Sequence, residues 1–429
     1  MSKKTFIFLM TAILCFYPVY GVDGSKIVIK NSTVVPIQGK RITHADILIE
    51  DGIIVKIGSD LETPPSASVI DASGKYVYPG MVALMTAVGV TGYPGAGNDL
   101  DETGVSTPHM DPYDAVNPED PCIKVTRLGG VTTVMTVSGT QSPINGKSVV
   151  MNLEGRLASD LVMKRYAAQI FNMGAKKDDK YPSTLPGVVS LIEEKMNKVK
   201  QYIQKKEKQS PNKDGEDEDK ANNFSRDLEM EALIPVLKRE VPVVFITYDE
   251  VTIRNALKII DEYNLRGIIR AGKGILRYAD QLKEKNIPVI WAGTTNIPGR
   301  WEPFDLNYHT AALLAEKGVL FAFDSGGWGP GSRNVRNLPV PASLSVAYGL
   351  DEKTALEALT INPAKILGLG DQLGSIEQGK TANLVVWTGS PIQMSSQVCH
   401  VIINGKIIPM ESIQTRLRDQ YIKNLKNKK

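Results

Sequence analysis

The stretch Val243-Val-Phe-Ile-Thr-Tyr-Asp-Glu-Val-Thr-Ile-Arg-Asn-Ala-Leu-Lys-Ile-Ile-Asp-Glu-Tyr-Asn-Leu-Arg-Gly-Ile-Ile-Arg270 sets the architecture. Val243 to Tyr248 is a short, apolar, partly β-branched run, the mark of a buried strand. Val251 to Tyr263 then puts Ile253, Leu257 and Ile260 on one face at helical spacing. Gly267 to Arg270 is a strand again. The alternation continues with helix-like Ile275 to Glu284 and Thr310 to Lys317, and with strand-like Val289 to Ala292 and Val319 to Asp324. An earlier strand-like run covers Val131 to Val137. Strand, helix, strand at short intervals implies a parallel sheet with right-handed crossovers. Over roughly 300 residues, a closed TIM-type (β/α)8 barrel fits better than an open sheet. The fold class expected is therefore α/β.

Outward from this core both flanks turn to β structure. Ile27 to Asn31 reads as a strand, and Ala45–Glu50 with Ile53–Ile57 as a hairpin around Asp51-Gly52. Far downstream, Ala382 to Trp387 is a strand and Val401 to Ile408 a hairpin around Asn404-Gly405. A few strands cannot bury a face alone. The two ends are thus expected to combine into one small β-sandwich domain, residues 22–78 plus 375–410, with the barrel, 79–374, inserted between them. Lys205 to Asn223 is charged and nearly devoid of apolar residues, and reads as a loop between two helices.

The 429 residues are 42% hydrophobic and 23% charged, an ordinary globular balance. Lys3 and Lys4, the apolar run Thr5 to Tyr17 and Pro18-Val-Tyr-Gly21 read as a secretory signal peptide over 1–21, which implies a secreted or periplasmic protein. Leu14 before Cys15 is bulky where lipoprotein processing prefers a small residue, so lipid anchoring is the weaker reading. The run is too short for a good membrane span, and no transmembrane span is expected in the mature chain. Losing Lys3 and Lys4 takes the net charge from +3 to +1, which gives no basic face for nucleic acid. Glu411 to Lys429 holds six Lys or Arg against two acids and reads as a solvated basic tail. Cys122 and Cys399, the cysteines left after processing, are expected as two buried free thiols.

Several separate motifs now point to one family. Val69-Ile-Asp-Ala-Ser-Gly-Lys-Tyr-Val-Tyr-Pro-Gly-Met-Val82 resembles the entry into the first barrel strand of the amidohydrolase superfamily, and of its imidazolonepropionase-like branch in particular. Asn117-Pro-Glu-Asp-Pro121, Gly130-Val-Thr-Thr-Val134, Thr360-Ile-Asn-Pro-Ala-Lys-Ile-Leu-Gly368 and Gly374-Ser-Ile-Glu-Gln-Gly-Lys-Thr-Ala-Asn-Leu-Val-Val-Trp387 agree with it in order. The resemblance covers nearly the whole mature chain. It implies one or two divalent metals, zinc above all, in the barrel mouth. Their ligands would be a His-x-His pair on strand one, histidines on strands five and six, and an Asp on strand eight. A Zn-like ion lowers the pKa of bound water to about 7 and polarises a carbonyl. The strand-eight Asp takes the proton.

On this chain the histidine positions carry other residues. Met81-Val-Ala-Leu-Met-Thr-Ala-Val-Gly89 keeps Thr86 and Gly89 in register, but has Met85 and Ala87 at the His-x-His positions. Ile246 and Tyr248 fall at the strand-five position, and Ala271 at strand six. Only Asp324 survives, as the candidate catalytic group. The four histidines, His44, His109, His309 and His400, form no i, i+2 pair. A catalytic metal needs about three convergent ligands, so no resident cofactor is expected. Arg270, Lys273, Arg300 and Trp328 lie near strand ends or in the following loops, and are candidates for binding a ligand.

Whether such a chain is an enzyme stays open. One reading is a metal-free degenerate amidohydrolase, a pseudoenzyme that binds a small molecule or serves as a partner subunit, in a homo-oligomer or mixed with an active relative. A second is a working hydrolase of non-peptide C–N bonds (amide, cyclic amide or acyl-amino acid) with a rebuilt site. A third is a non-hydrolytic enzyme using Asp324 and nearby cations.

Overall fold

The computed structural model describes residues 26–91, 98–100, 102–209, 225–295, 308–326 and 329–426. The leader expected over 1–21 lies outside them. Among the described residues seventeen strands run in chain order. They are β1 (Lys26–Val34), β2 (Ile42–Glu50), β3 (Ile53–Gly58), β4 (Ser68–Asp71), β5 (Tyr76–Pro79), β6 (Met81–Thr86), β7 (Val131–Val137), β8 (Ile144–Asn152) and β9 (Val162–Lys164). Then come β10 (Gln169–Asn172), β11 (Val243–Ile246), β12 (Gly267–Ala271), β13 (Val289–Trp291), β14 (Phe321–Phe323), β15 (Leu384–Trp387), β16 (Val398–Ile403) and β17 (Lys406–Ile408).

One sheet has the order β14-β13-β12-β11-β10-β8-β7-β6, with β9 added on β8. A parallel bridge between Leu84 and Asp324 joins its two ends and closes the barrel. The ring differs from eight repeated strand–helix units in one respect. β8 runs antiparallel to both β7 and β10. A short connection joins β7 to β8 where a crossover helix would be needed between parallel strands.

The core has two layers. Val82, Leu84, Met135, Val150, Val244, Ile268, Ile290 and Ala322 fill the barrel interior, floored by Ile366, Leu367, Leu369 and Leu373. Outside, Phe245, Ile269 and Val289 pack against helices. In the helix Glu250–Glu262, Ile253, Leu257 and Ile260 are buried on the predicted face. Each such side chain contributes about 1.5–3 kcal/mol by leaving water. Asp249 caps that helix, its carboxylate accepting from Thr252 N at 2.9 Å. Four outer helices stop in the same way, on a residue of positive φ: Arg239, Asn264, Asn286 or Gly318. Asn264 N donates to Asp261 O and Leu265 N to Ile260 O, and the other three repeat this double return.

Helix Leu185–Gln209 carries on past Lys205, where a loop was expected to begin, and Lys206 pairs with Glu231 at 2.5 Å. Among the described residues no helix is long and apolar enough to cross a membrane. The basic tail forms helix Ile413–Lys426, which buries no side chain. Cys122 and Cys399 form no disulfide. Cys122 is buried as expected, whereas Cys399, on β16, is partly exposed.

The second sheet has the order β17-β16-β15-β5-β1-β2-β3, with β4 on β1, so strands from both chain ends share it as anticipated. Both hairpin turns adopt the predicted left-handed backbone: Asp51 and Gly52 at φ 50° and 83°, Asn404 and Gly405 at 49° and 65°. The turns pack against each other. A Cβ on Gly405 would stand 2.6 Å from Gly52 Cα, so only glycine fits. A buried amide network ties this sheet to the barrel. Asn383 Nδ2 donates to Asn152 Oδ1 at 2.8 Å and to Thr133 Oγ1 at 3.2 Å. Asn404 N donates to Asn383 Oδ1 at 2.9 Å, and Asn152 Nδ2 to Asn404 Oδ1 at 2.6 Å. Asn383→Ala removes three of these bonds and strands buried partners. It is expected to lower unfolding stability by about 2–4 kcal/mol, read from the urea midpoint.

Candidate functional site

The C-terminal ends of β6, β11, β12 and β14 converge at the barrel mouth, where a parallel barrel carries its chemistry. Side-chain direction follows the alternation along each strand. On β12, Ile268 lies in the interior cluster while Ile269 and Ala271 belong to the outer layer. Arg270 therefore shares the inward face with Ile268. On β14, Ala322 points inward, and Asp324 follows it at the same parity.

These two inward groups meet. Arg270 Nη2 lies 2.5 Å from Asp324 Oδ2, with the side chains 14% and 4% exposed. Asp324 Oδ1 also accepts from Gly326 N at 3.3 Å. Ser325 Oγ donates to Leu84 O at 3.0 Å, alongside the bridge that closes the ring. Both carboxylate oxygens of Asp324 are thus engaged within the protein. Burying this charge is tolerable because a guanidinium sits against it.

Strand β6 departs from regular pairing. Ala83 faces Val134 and Thr86 faces Thr136, so three steps on β6 oppose two on β7. The extra residue is accommodated at Met85, which has φ 56°. A non-glycine residue there is uncommon and costs about 1–2 kcal/mol. The bulge turns Met85 into the interior cluster, next to Leu84, and Ala87 into the outer one. A regular strand would have aimed both to one side. Met85 is fully buried and helps fill the interior.

The other expected positions scatter. Ile246 packs in the interior cluster. Ala271, expected as the strand-six position, packs outside, so Arg270 and not Ala271 stands over the centre. Tyr248 does not fill the cavity: its side chain is 48% exposed at the rim. Its hydroxyl accepts from Asn172 Nδ2 at 3.0 Å, and a Cβ on Gly174 would lie 2.6 Å from its ring. Lys273 is half-buried beyond the end of β12. Arg300 and Trp328 lie outside the described residues. His44 is on β2 and His400 on β16, His309 precedes the helix Thr310–Glu316, and His109 is in the loop before Met110. None joins a metal-holding group of His, Cys, Asp or Glu among the described residues.

Two of the sequence motifs prove to be positioning elements. Asp120 of Asn117-Pro-Glu-Asp-Pro121 caps the helix Pro121–Leu128 through Cys122 N and accepts from Gly89 N at 2.7 Å. It thereby anchors the chain leaving β6. Burial pushes its carboxyl up, against those two N–H donors. Asn362 of Thr360-Ile-Asn-Pro363 donates to Phe321 O at 3.0 Å and holds the start of β14.

A family model described as the amidohydrolase family matches residues 309–408. The crystal structure of an amidohydrolase from Thermotoga maritima is 32% identical, covers 89% of this chain and 99% of that one, and superposes with a TM-score of 0.81. This chain belongs to the amidohydrolase family. Amidohydrolase tasK of Hapsidospora irregularis is 24% identical over 394 residues, and the chain spans 39% of its length. An imidazolonepropionase from Thermoanaerobacter pseudethanolicus is 30% identical over 113 residues, 25% of this chain and 27% of that protein.

Amidohydrolase membership implies a divalent metal in this mouth, and the donors among the described residues do not fit one. A Zn-like ion takes imidazole, thiolate or carboxylate ligands. The inward positions offer a thioether, Met85, an alkyl group, Ile246, and a guanidinium, Arg270. That last group carries its own positive charge and already holds Asp324. Arg270→Met should leave Asp324 buried without its counter-ion and cost about 3–5 kcal/mol. Adding Asp324→Asn should recover much of that loss. A double-mutant cycle by urea unfolding reads the coupling. Additive losses would show that the two groups act independently.

Proposed function

We propose that this amidohydrolase-family protein works without a resident metal, as a degenerate hydrolase that holds a small ligand or supports a partner subunit. The observation that carries this reading is the Arg270–Asp324 pair. A fixed guanidinium stands against the one carboxylate that matches the family's proton acceptor, so the protein supplies its own cation there. Asp324 in that state is a poor base. Its carboxylate oxygens are engaged by Arg270 and by Gly326 N. The pair is neutral as a unit, and the ligand-selecting groups proposed from the sequence are Lys273, Arg300 and Trp328. An anionic or aromatic small molecule suits a lysine, an arginine and an indole.

The same reading makes the protein an exported one, on the strength of its leader-like N-terminus. A mixed oligomer with a histidine-bearing relative is the form in which a metal-free barrel would serve catalysis. Arg270 would then act as a structural plug in place of the ion.

Purified protein is expected to hold far less than one zinc, manganese or iron per chain by inductively coupled plasma mass spectrometry. Its melting temperature should be unmoved by a strong chelator. One tightly bound metal per chain, lost together with turnover of an acyl-amino acid or cyclic amide, would sink the proposal and favour a rebuilt hydrolase.

A further inference from the structure

The opposite, N-terminal face of the barrel holds a cavity of about 690 Å³, below the starts of β11, β12 and β13. That volume lies within the range of small-molecule sites. Arg239, Arg266, Lys285 and Lys365 line it, against one acid, Asp261, which pairs with Lys285 at 2.5 Å. Arg239, Arg266 and Lys365 have no carboxylate within 4 Å among the described residues. The chain as a whole carries only +3, so this lining concentrates about as much positive charge as the whole molecule has in excess.

Helix termini alone do not explain these cations. Carbonyls at the ends of outer helices favour nearby positive charge, and Arg266 Nη1 does donate to Arg239 O and Glu240 O at 3.3 and 3.2 Å. The contrast lies in the four equivalent stops described above. Three use Asn264, Asn286 and Gly318, residue types that adopt positive φ readily. The fourth uses Arg239, at φ 62°, where an arginine is strained. Its guanidinium is then fixed over the cavity by Asn264, with Nη1 2.7 Å from the Asn264 carbonyl and 2.5 Å from its amide oxygen. Lys164 adjoins the group. Burial, then the Arg266 charge, holds its ammonium below the usual lysine range. Like charges gathered with a single carboxylate, Asp261, among them repel until an anion joins them.

We infer that this cavity is a second site, separate from the barrel mouth, and that it binds a small multivalent phosphate-bearing anion. Arginine forks match phosphate oxygens in pairs, and two of them here come from consecutive strand–helix units with Lys285 and Lys365 completing the ring. The inference is independent of whether the mouth holds a metal.

Calorimetric titration of the full chain with sodium tripolyphosphate, at ionic strength fixed by potassium chloride, tests it. Saturable one-to-one binding is expected, weakened at least tenfold by Arg239→Gly and by Arg266→Gln. Arg239→Gly suits a positive φ and should melt at or near the parent temperature, so its weaker binding cannot be ascribed to unfolding. Arg418→Gln, which removes an exposed cation from the C-terminal helix, should leave affinity unchanged. Absence of saturable heat would overturn the inference, as would equal affinity in the parent, Arg239→Gly and Arg266→Gln. So would a loss with Arg418→Gln as large as theirs, or binding of a single-stranded oligonucleotide without tripolyphosphate.

Discussion

A carboxylate at the inner end of a closed barrel cannot remain charged without a partner, and the mouth of this protein is organised around that constraint. Asp324 sits where β14 meets β6, and its neighbour Ser325 bonds across the same seam. An ion held by several imidazoles would neutralise it in a metal enzyme. Here a single guanidinium from two strands away does so. The choice propagates. Met85 and Ile246 are apolar, and below the pair the interior packs as a hydrophobic core. The C-terminal end of the barrel is therefore stabilised by packing and by the Arg270–Asp324 ion pair.

Much of this was legible in the sequence. The strands β11 to β14 and the helices between them follow from hydrophobic periodicity, because both faces of a barrel strand are buried. The paired hairpin turns follow from Asp51-Gly52 and Asn404-Gly405, whose chemistry demands their backbone. Other features were hidden. Ile144–Asn152 carries glycine and lysine within a buried strand, and its reversed direction depends on a turn without strong punctuation. The bulge at Met85 has no local signal, since methionine does not ask for positive φ. That one residue decides that Met85 faces inward and Ala87 outward. Ala271 against Arg270 is the same lesson. A shift of one along a strand exchanges inside for outside, and a register carried over from relatives is good only to about that margin.

The two ends of the barrel now carry different kinds of charge. At the mouth, cation and carboxylate cancel in a dry setting. On the N-terminal face, Arg239, Arg266 and Lys365 are exposed and have no carboxylate partner among the described residues. No sequence window brings these residues together. They lie on separate elements and converge because the strand starts of a barrel form a ring. Identity of residue types is thus readable from the chain, while their convergence belongs to the fold.

The turn-on-turn contact between Gly52 and Gly405 has a consequence for how the molecule is made. β5 finds its neighbour β15 only after some three hundred further residues have been joined. The amide network through Asn383 and Asn404 likewise completes only with the last strands. During vectorial synthesis the first strands wait with an open edge, while the barrel between them is assembled. Such long-range pairing is slow to close. The small sheet therefore reaches its full strand order only after the barrel's residues have been joined.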